Sequence, residues 1–151
     1  MKIYIGADHG GYLLKEKLKS YLAQLGHDVE DRGAPTLDPS DDYTDFIFPV
    51  AEHVAQDLES RGIVLGRSGQ GEVIAANKTK GIRAALCMNE KGALKAREDN
   101  DANILSLGAD VTNEGDAKKI VKIFLETPFS NKERHVRRLK KIADYETAHS
   151  K

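Results

Sequence analysis

Apolar residues in this chain fall into two alternating patterns, short contiguous runs and longer stretches that recur every three to four positions. Lys2 to Gly6, Gly62 to Leu65, Arg83 to Cys87 and Asn103 to Leu107 read as short strands of a buried parallel sheet. His27 to Asp31 is a fifth candidate, and Asp28, Glu30 and Asp31 place it at a sheet edge. Between the strands, Tyr12, Leu14, Leu18, Leu22 and Leu25 recur at helical spacing with Lys15, Lys17, Lys19 and Gln24 between them, and Gly26 ends that helix. Gly33 to Asp42, with Pro35 and Pro39, is a loop. Tyr43 to Leu58 is a second helix with Phe46, Ile47, Val50, Val54 and Leu58 as its stripe; Pro49 either bends it or marks its first turn. Further helices are predicted over Gln70 to Lys78, Glu90 to Asn100, Asn113 to Leu125 and, beyond Pro128, Asn131 to Ala148.

Strands alternating with helices predict an α/β fold with three α/β/α layers, a mainly parallel five-stranded sheet and an additional C-terminal helix. Right-handed crossovers gather the strand-to-helix loops at the carboxyl edge of such a sheet, where ligands bind. Asp8, His9, Ser68, Glu72, Asn89, Asp99, Asn100 and Asp110 are expected in or just beyond those loops.

The length of 151 residues suits a single domain over 1–151. A formal charge of -1 excludes bulk attraction to nucleic acid or to a membrane surface. The lone Cys87 excludes an intrachain disulfide and a multi-cysteine metal site, and fits a reducing compartment. The opening residues reach Gly6 and Asp8 before a signal-peptide core could form, and no segment approaches the roughly 20 apolar residues of a membrane span. A cytoplasmic location is the expectation.

Ile63 to Lys78 carries the densest candidate chemistry. A strand runs into a loop with Gly66, Gly69 and Gly71, and a helix opens at Gln70 to Glu72, so free N–H groups could meet an anion. Ser68 adds a hydroxyl, Glu72 a carboxylate and Asn77 an amide. Glu72 reads equally as a favourable first-turn acid or as a general base for proton abstraction beside a carbonyl. Ser68 lacks the G-x-S-x-G setting of an acyl-transfer nucleophile, and no G-x-G-x-x-G dinucleotide fingerprint follows the first strand. Asp8 is either a helix cap or a contact for a substrate hydroxyl; His9 beside it could touch an anion or move a proton. Asp99 with Asn100 closes a polar helix, and Asp110 reads most simply as a cap. In the basic last helix, Arg134 and Arg138 share a face, either solvated or a phosphate clamp, with His135 between them.

Four motifs together resemble the ribose-5-phosphate isomerase B family, which includes the galactose-6-phosphate isomerase subunits. They are G-A-D-H-G-G at Gly6 to Gly11, G-x-S-G-x-G-E at Gly66 to Glu72, A-A-N-K-x-x-G-I-R-A at Ala75 to Ala84 and R-H-x-R-R at Arg134 to Arg138. The resemblance spans nearly the whole chain and implies a Rossmann-like domain without metal or cofactor. It also implies homodimers or dimers of dimers with sites between subunits, the 131–148 helix reaching the partner, and aldose–ketose isomerisation of a sugar phosphate through a cis-enediolate. One branch of the family uses a cysteine where Gly66 stands; this chain resembles the branch whose base matches Glu72. Ser68 then matches the oxyanion-side residue, and the N–H groups of Ser68, Gly69, Gln70 and Gly71 would hold the developing charge. Asp8 matches a sugar-hydroxyl contact, His9 a residue near the phosphate, Asn100 a ligand-contacting amide, and Arg134 and Arg138 with His135 the phosphate clamp. Cys87 does not match the catalytic cysteine and reads as a buried small hydrophobe.

Three positions depart from the family pattern. Asp99 stands where a ring-opening histidine is usual, Asp110 where an arginine serves the phosphate, and Arg67 where the loop has a glycine. Arg67 could replace the missing cation or pair with Asp110. Two alternatives to a ribose 5-phosphate isomerase therefore stay open: an isomerase of another sugar phosphate, and a catalytically silent sugar-phosphate-binding subunit.

Overall fold

In the computed structural model, which describes residues 1–150, contiguous apolar runs form the centre of a five-stranded, all-parallel sheet. Its strands are β1 (Lys2–Ala7), β2 (Asp28–Asp31), β3 (Arg61–Gly66), β4 (Ala84–Leu86) and β5 (Ile104–Gly108), in the order β2-β1-β3-β5-β4. Ile3, Ile5, Ile63, Leu65, Leu105 and Leu107 point to one face and are buried there, whereas the acidic β2 lies at an edge. The register sets Gly66 of β3 beside Gly108 of β5 and Ala7 of β1 beside Leu65. From β1 the chain leaves to one side for β2 and returns on the other for β3. The loops after β1 and β3 therefore diverge at a topological switch point, which opens a crevice at the carboxyl edge.

Helices α1 (Tyr12–Gln24), α4 (Glu90–Asn100) and α5 (Glu114–Glu126) cover that face, with Leu14, Leu18, Leu22, Ala93, Ile120 and Phe124 buried. On the other face, α2 (Thr44–Gln56) and α3 (Gln70–Ala76) bury Ile47, Val50, Val54 and Ala76 against Tyr4 and Val64. Gly26 takes a φ of +85° just beyond α1, the left-handed geometry that ends a helix. Helix α6 (Glu133–His149) packs loosely, with His135 its one buried residue. A cavity of about 660 Å³ separates α6 from the α3–β4 connection, bordered by Asn77, Asn100, Leu139 and Tyr145.

Helix α2 stops at Gln56, and Leu58, expected in its apolar stripe, is 81% exposed. The cause is a turn: Asp57 accepts from the Ser60 N–H and hydroxyl through its carbonyl and from the Glu59 N–H through its carboxylate. Pro49 lies inside the helix, in its second turn, where it removes the bond to the Asp45 carbonyl without breaking the helix. Asn77 has a structural role, its amide bonding both the N–H and the carbonyl of Ala84 at the free edge of β4.

Lys15, expected on the polar side of α1, is fully buried. Its ammonium donates to Asp31 Oδ2 at 2.7 Å and to the Ala34 carbonyl at 2.9 Å, tying the end of β2 and the following loop to α1. Burial alone would push the Asp31 carboxyl up, but hydrogen bonds from Lys15, Lys19 and the Gly33 N–H outweigh it and hold the carboxyl below the ordinary range. Lys15→Met keeps the apolar stem but strands these acceptors. It is expected to destabilise the fold by about 3 kcal/mol in urea unfolding.

Candidate active site

The crevice is built around glycines that let neighbouring loops touch. Gly69 caps α3 with a φ of +78°, and a Cβ there would lie 3.0 Å from the Leu107 backbone. The Gly69 carbonyl accepts from the buried Ser106 hydroxyl at 2.8 Å. The loop is thus clamped onto β5, and the Ala109 and Asp110 N–H groups donate back to the Gly66 and Arg67 carbonyls. The N–H groups of Ser68 and Gly69 find no acceptor among the described residues, and the Ser68 hydroxyl accepts from the Gln70 N–H at 3.3 Å.

Glu72, in the first turn of α3, turns its carboxyl back over Gly66. A Cβ on Gly66 would lie 1.8 Å from Glu72 Oε1, so the carboxyl fills the space a side chain would need. Glu72 is 5% exposed. Burial pushes its carboxyl above the ordinary glutamate range; its own backbone N–H opposes this, and the nearby Asp8 carboxylate adds to the rise. Such a group keeps enough basicity to take a carbon-bound proton.

Asp8 Oδ1 accepts the Gly10 N–H at 2.9 Å, closing the turn after β1; it does not cap α1, whose N-cap is Gly11. His9 meets Asp41 of the 33–42 loop, with 2.6 Å between His9 Nδ1 and Asp41 Oδ1. Ligating atoms of Asp8, His9 and Asp41 lie within 4.8 Å of one another, the one such group among the described residues. Tyr43 closes over the loop, its Cζ 2.7 Å from where a Gly71 Cβ would stand. Asp41 and Tyr43 are site neighbours that sequence reasoning missed; they lie in and just after the 33–42 loop, whose path no local pattern gives.

Arg67 Nη1 and Asp110 Oδ2 approach to 3.7 Å, both side chains more than half exposed. Asp110 caps nothing; Asn113 caps α5 by accepting the Asp116 N–H. Beside this pair a cavity of about 490 Å³ opens between His9, Lys17, Leu37, Arg67, Asp110 and Thr112. Glu72 and Ser68 do not line it, so it extends the crevice from its His9 end.

Asp99 and Asn100 correct the sequence expectation. They end α4, which runs down from Asn89 to the opposite, amino edge of the sheet, where Arg83 donates to the Asn100 carbonyl. Beside them the Ser130 N–H donates to the Glu98 carbonyl, and the buried His135 has Nδ1 2.8 Å from Ser130 Oγ and Nε2 3.7 Å from Asp99 Oδ1. Arg134 and Arg138 leave the same end of α6 exposed to solvent. One chain thus gathers Asp8, His9, Arg67, Ser68, Gly69, Gln70, Gly71 and Glu72 at one edge, and Asp99, Asn100, Arg134, His135 and Arg138 at the other. Cys87 lies just past β4, 2% exposed, and burial pushes its thiol up to about 11, far from a reactive thiolate.

Gly66→Ala is expected to force the Glu72 carboxyl aside into solvent and to bring its titration back toward the ordinary glutamate range while the chain stays folded, as an NMR titration of that carboxyl would read. Glu72 also couples to stability. Its folded pKa lies above the unfolded one, so the native state binds the extra proton between the two, and stability falls as pH rises through that interval. Glu72→Gln should remove that segment of the pH dependence and raise Tm at neutral pH, as thermal unfolding across pH would read.

Comparison with known proteins agrees with this fold. Residues 3–142 match the Ribose/Galactose Isomerase family. Ribose-5-phosphate isomerase B of Mycobacterium tuberculosis is 44% identical over 149 residues, covering 99% of this chain and 92% of that protein. The Clostridium thermocellum ribose-5-phosphate isomerase B structure is 46% identical with a TM-score of 0.94, covering 99% of this chain and 100% of that one. A Mycoplasma genitalium ribose-5-phosphate isomerase B structure with bound ribulose-5-phosphate is 39% identical with a TM-score of 0.93, covering 97% of this chain and 96% of that one. With an all-parallel sheet, a glycine-clamped loop at its switch point and a family match over residues 3–142, this chain belongs to the ribose/galactose isomerase family.

Proposed function

We propose that the chain is an aldose–ketose isomerase of sugar phosphates, of the ribose 5-phosphate/ribulose 5-phosphate type, with Glu72 as its general base. The observation that carries this reading is the buried Glu72 carboxyl seated on Gly66 beside a loop with unpaired N–H groups. In the open-chain aldose, Glu72 takes the C2 proton. The C2–H electron pair forms the C1–C2 double bond, and the carbonyl electrons move to O1, whose negative charge the Ser68 to Gly71 loop stabilises, chiefly through the free Ser68 and Gly69 N–H groups. Ser68 relays the hydroxyl proton between O2 and O1, and Glu72 returns its proton to C1 to give the ketose. Asp8 holds sugar hydroxyls, and His9 with Arg67 faces the phosphate end.

Asp99, Asn100, Arg134, His135 and Arg138 stand at the wrong edge to serve Glu72 of their own chain. They serve a site only if a second copy brings them there, which supports a homodimer, alone or doubled, with sites between subunits. In that arrangement Asp99 exchanges the ring-opening proton and the two arginines of the 131–148 helix clamp the phosphate, while 1–151 works as one domain. No helix among the described residues is long and apolar enough to cross a membrane. A cytoplasmic setting fits the lone, buried Cys87.

One observation favours a second reading, an isomerase of a different sugar phosphate: the exposed Arg67–Asp110 pair puts a carboxylate at the cavity. A silent binding subunit would have no use for a buried, basic Glu72. Purified protein is expected to convert ribose 5-phosphate to ribulose 5-phosphate. Turnover only of allose, galactose or erythrose phosphates would favour the second reading, and binding without turnover of any of them would overturn isomerase function.

A further inference from the structure

Asp41 is a largely buried carboxylate at the His9 end of the crevice. Its side chain is 9% exposed, and Oδ2 is buried with no partner. Oδ1 accepts from the His9 backbone N–H at 3.1 Å and meets the His9 ring at Nδ1, 2.6 Å away. A carboxylate can only accept, so the ring hydrogen of this pair sits on Nδ1. That leaves Nε2 as the one ring nitrogen available to a ligand, on a residue that lines the cavity. The 33–42 loop that carries Asp41 is itself anchored: buried Lys15 bonds the Ala34 carbonyl, and the Asp41 N–H bonds the Asp38 carbonyl. Asp8 is committed to the Gly10 N–H, and its Oδ2 is 3.8 Å from His9 Nδ1, too far to compete for the ring.

We propose that Asp41 is a positioning residue, fixing the tautomer and ring orientation of His9 so that Nε2 is presented to the phosphate end of the sugar phosphate. This rests on the isomerase reading for its kinetic consequence but not for its structural one. Asp41 acts through His9 and touches no reacting atom. Its removal therefore weakens binding that ground state and transition state share: KM rises while kcat holds. An asparagine can stand in, because the His9 backbone N–H needs an acceptor and keeps the amide oxygen at the Oδ1 position.

The test has a spectroscopic and a kinetic arm. Nitrogen-15 NMR of the neutral His9 ring is expected to show the Nδ1–H form in the wild type and in Asp41→Asn, and a shift toward Nε2–H in Asp41→Ala. KM for the turned-over sugar phosphate is expected to rise about tenfold in Asp41→Ala, to recover most of that loss in Asp41→Asn, and to rise no further when Asp41→Ala is added to His9→Gln. Additive effects in the double variant, or an Nε2–H ring in the wild type, would overturn the proposal. If Asp41→Ala fails to fold, the wild-type and Asp41→Asn spectra still decide the tautomer. If no sugar phosphate is turned over, the isomerase reading fails while the NMR arm judges the Asp41–His9 pair on its own.

Discussion

The site depends on one steric fact: the Glu72 carboxyl and a side chain at residue 66 cannot occupy the same space. Gly66 ends β3 at the switch point of the sheet, and its missing Cβ is the recess into which the first turn of α3 folds its acid. The recess also withdraws the carboxyl from water, and that withdrawal, more than the Asp8 charge, raises its basicity. Position, burial and proton affinity thus follow from a single absent methyl group.

The rest of the fold holds that contact rigid. Ser106 fastens the Gly69 carbonyl from β5, the Ala109 and Asp110 N–H groups fasten the loop from its far side, and Gly69 accepts the positive φ that starts α3. A separate brace runs through buried Lys15 to the 33–42 loop, which delivers Asp41 to His9 and Tyr43 to Gly71. The crevice therefore rests on two packed loops with separate supports, one in β5 and the turn after it and the other in α1. The exposed arginines of α6 and the Asp99–His135 pair sit at the far edge, and it is this division between edges that makes a second copy part of the proposed mechanism.

Much of this was legible in the sequence because it is local. Contiguous apolar runs gave four of the five strands, the charged run at Asp28 to Asp31 gave the edge strand, and Gly26 marked a helix end. Glycine spacing from Gly66 to Gly71, with a helix opening at Gln70, marks Glu72 as a candidate from local pattern alone. What escaped depends on distance along the chain. Lys15 looks like a solvated helix lysine until Asp31 and the Ala34 carbonyl close over it. Asp41 lies in a loop with no periodicity, and Tyr43 just after it. Asp99 and Asn100 were expected at the carboxyl edge because a helix follows β4, but they lie at that helix's end, eleven residues of α4 having carried the chain back across the sheet.

The most direct measurement is hydrogen exchange at carbon. Ribulose 5-phosphate incubated with the protein in deuterated water should gain deuterium at C1, read by proton NMR, as the base and solvent trade the proton of the enediolate. With Glu72→Gln, folded to the same extent, that incorporation should fall to the uncatalysed rate. Undiminished exchange in the Glu72→Gln protein would contradict Glu72 as the base.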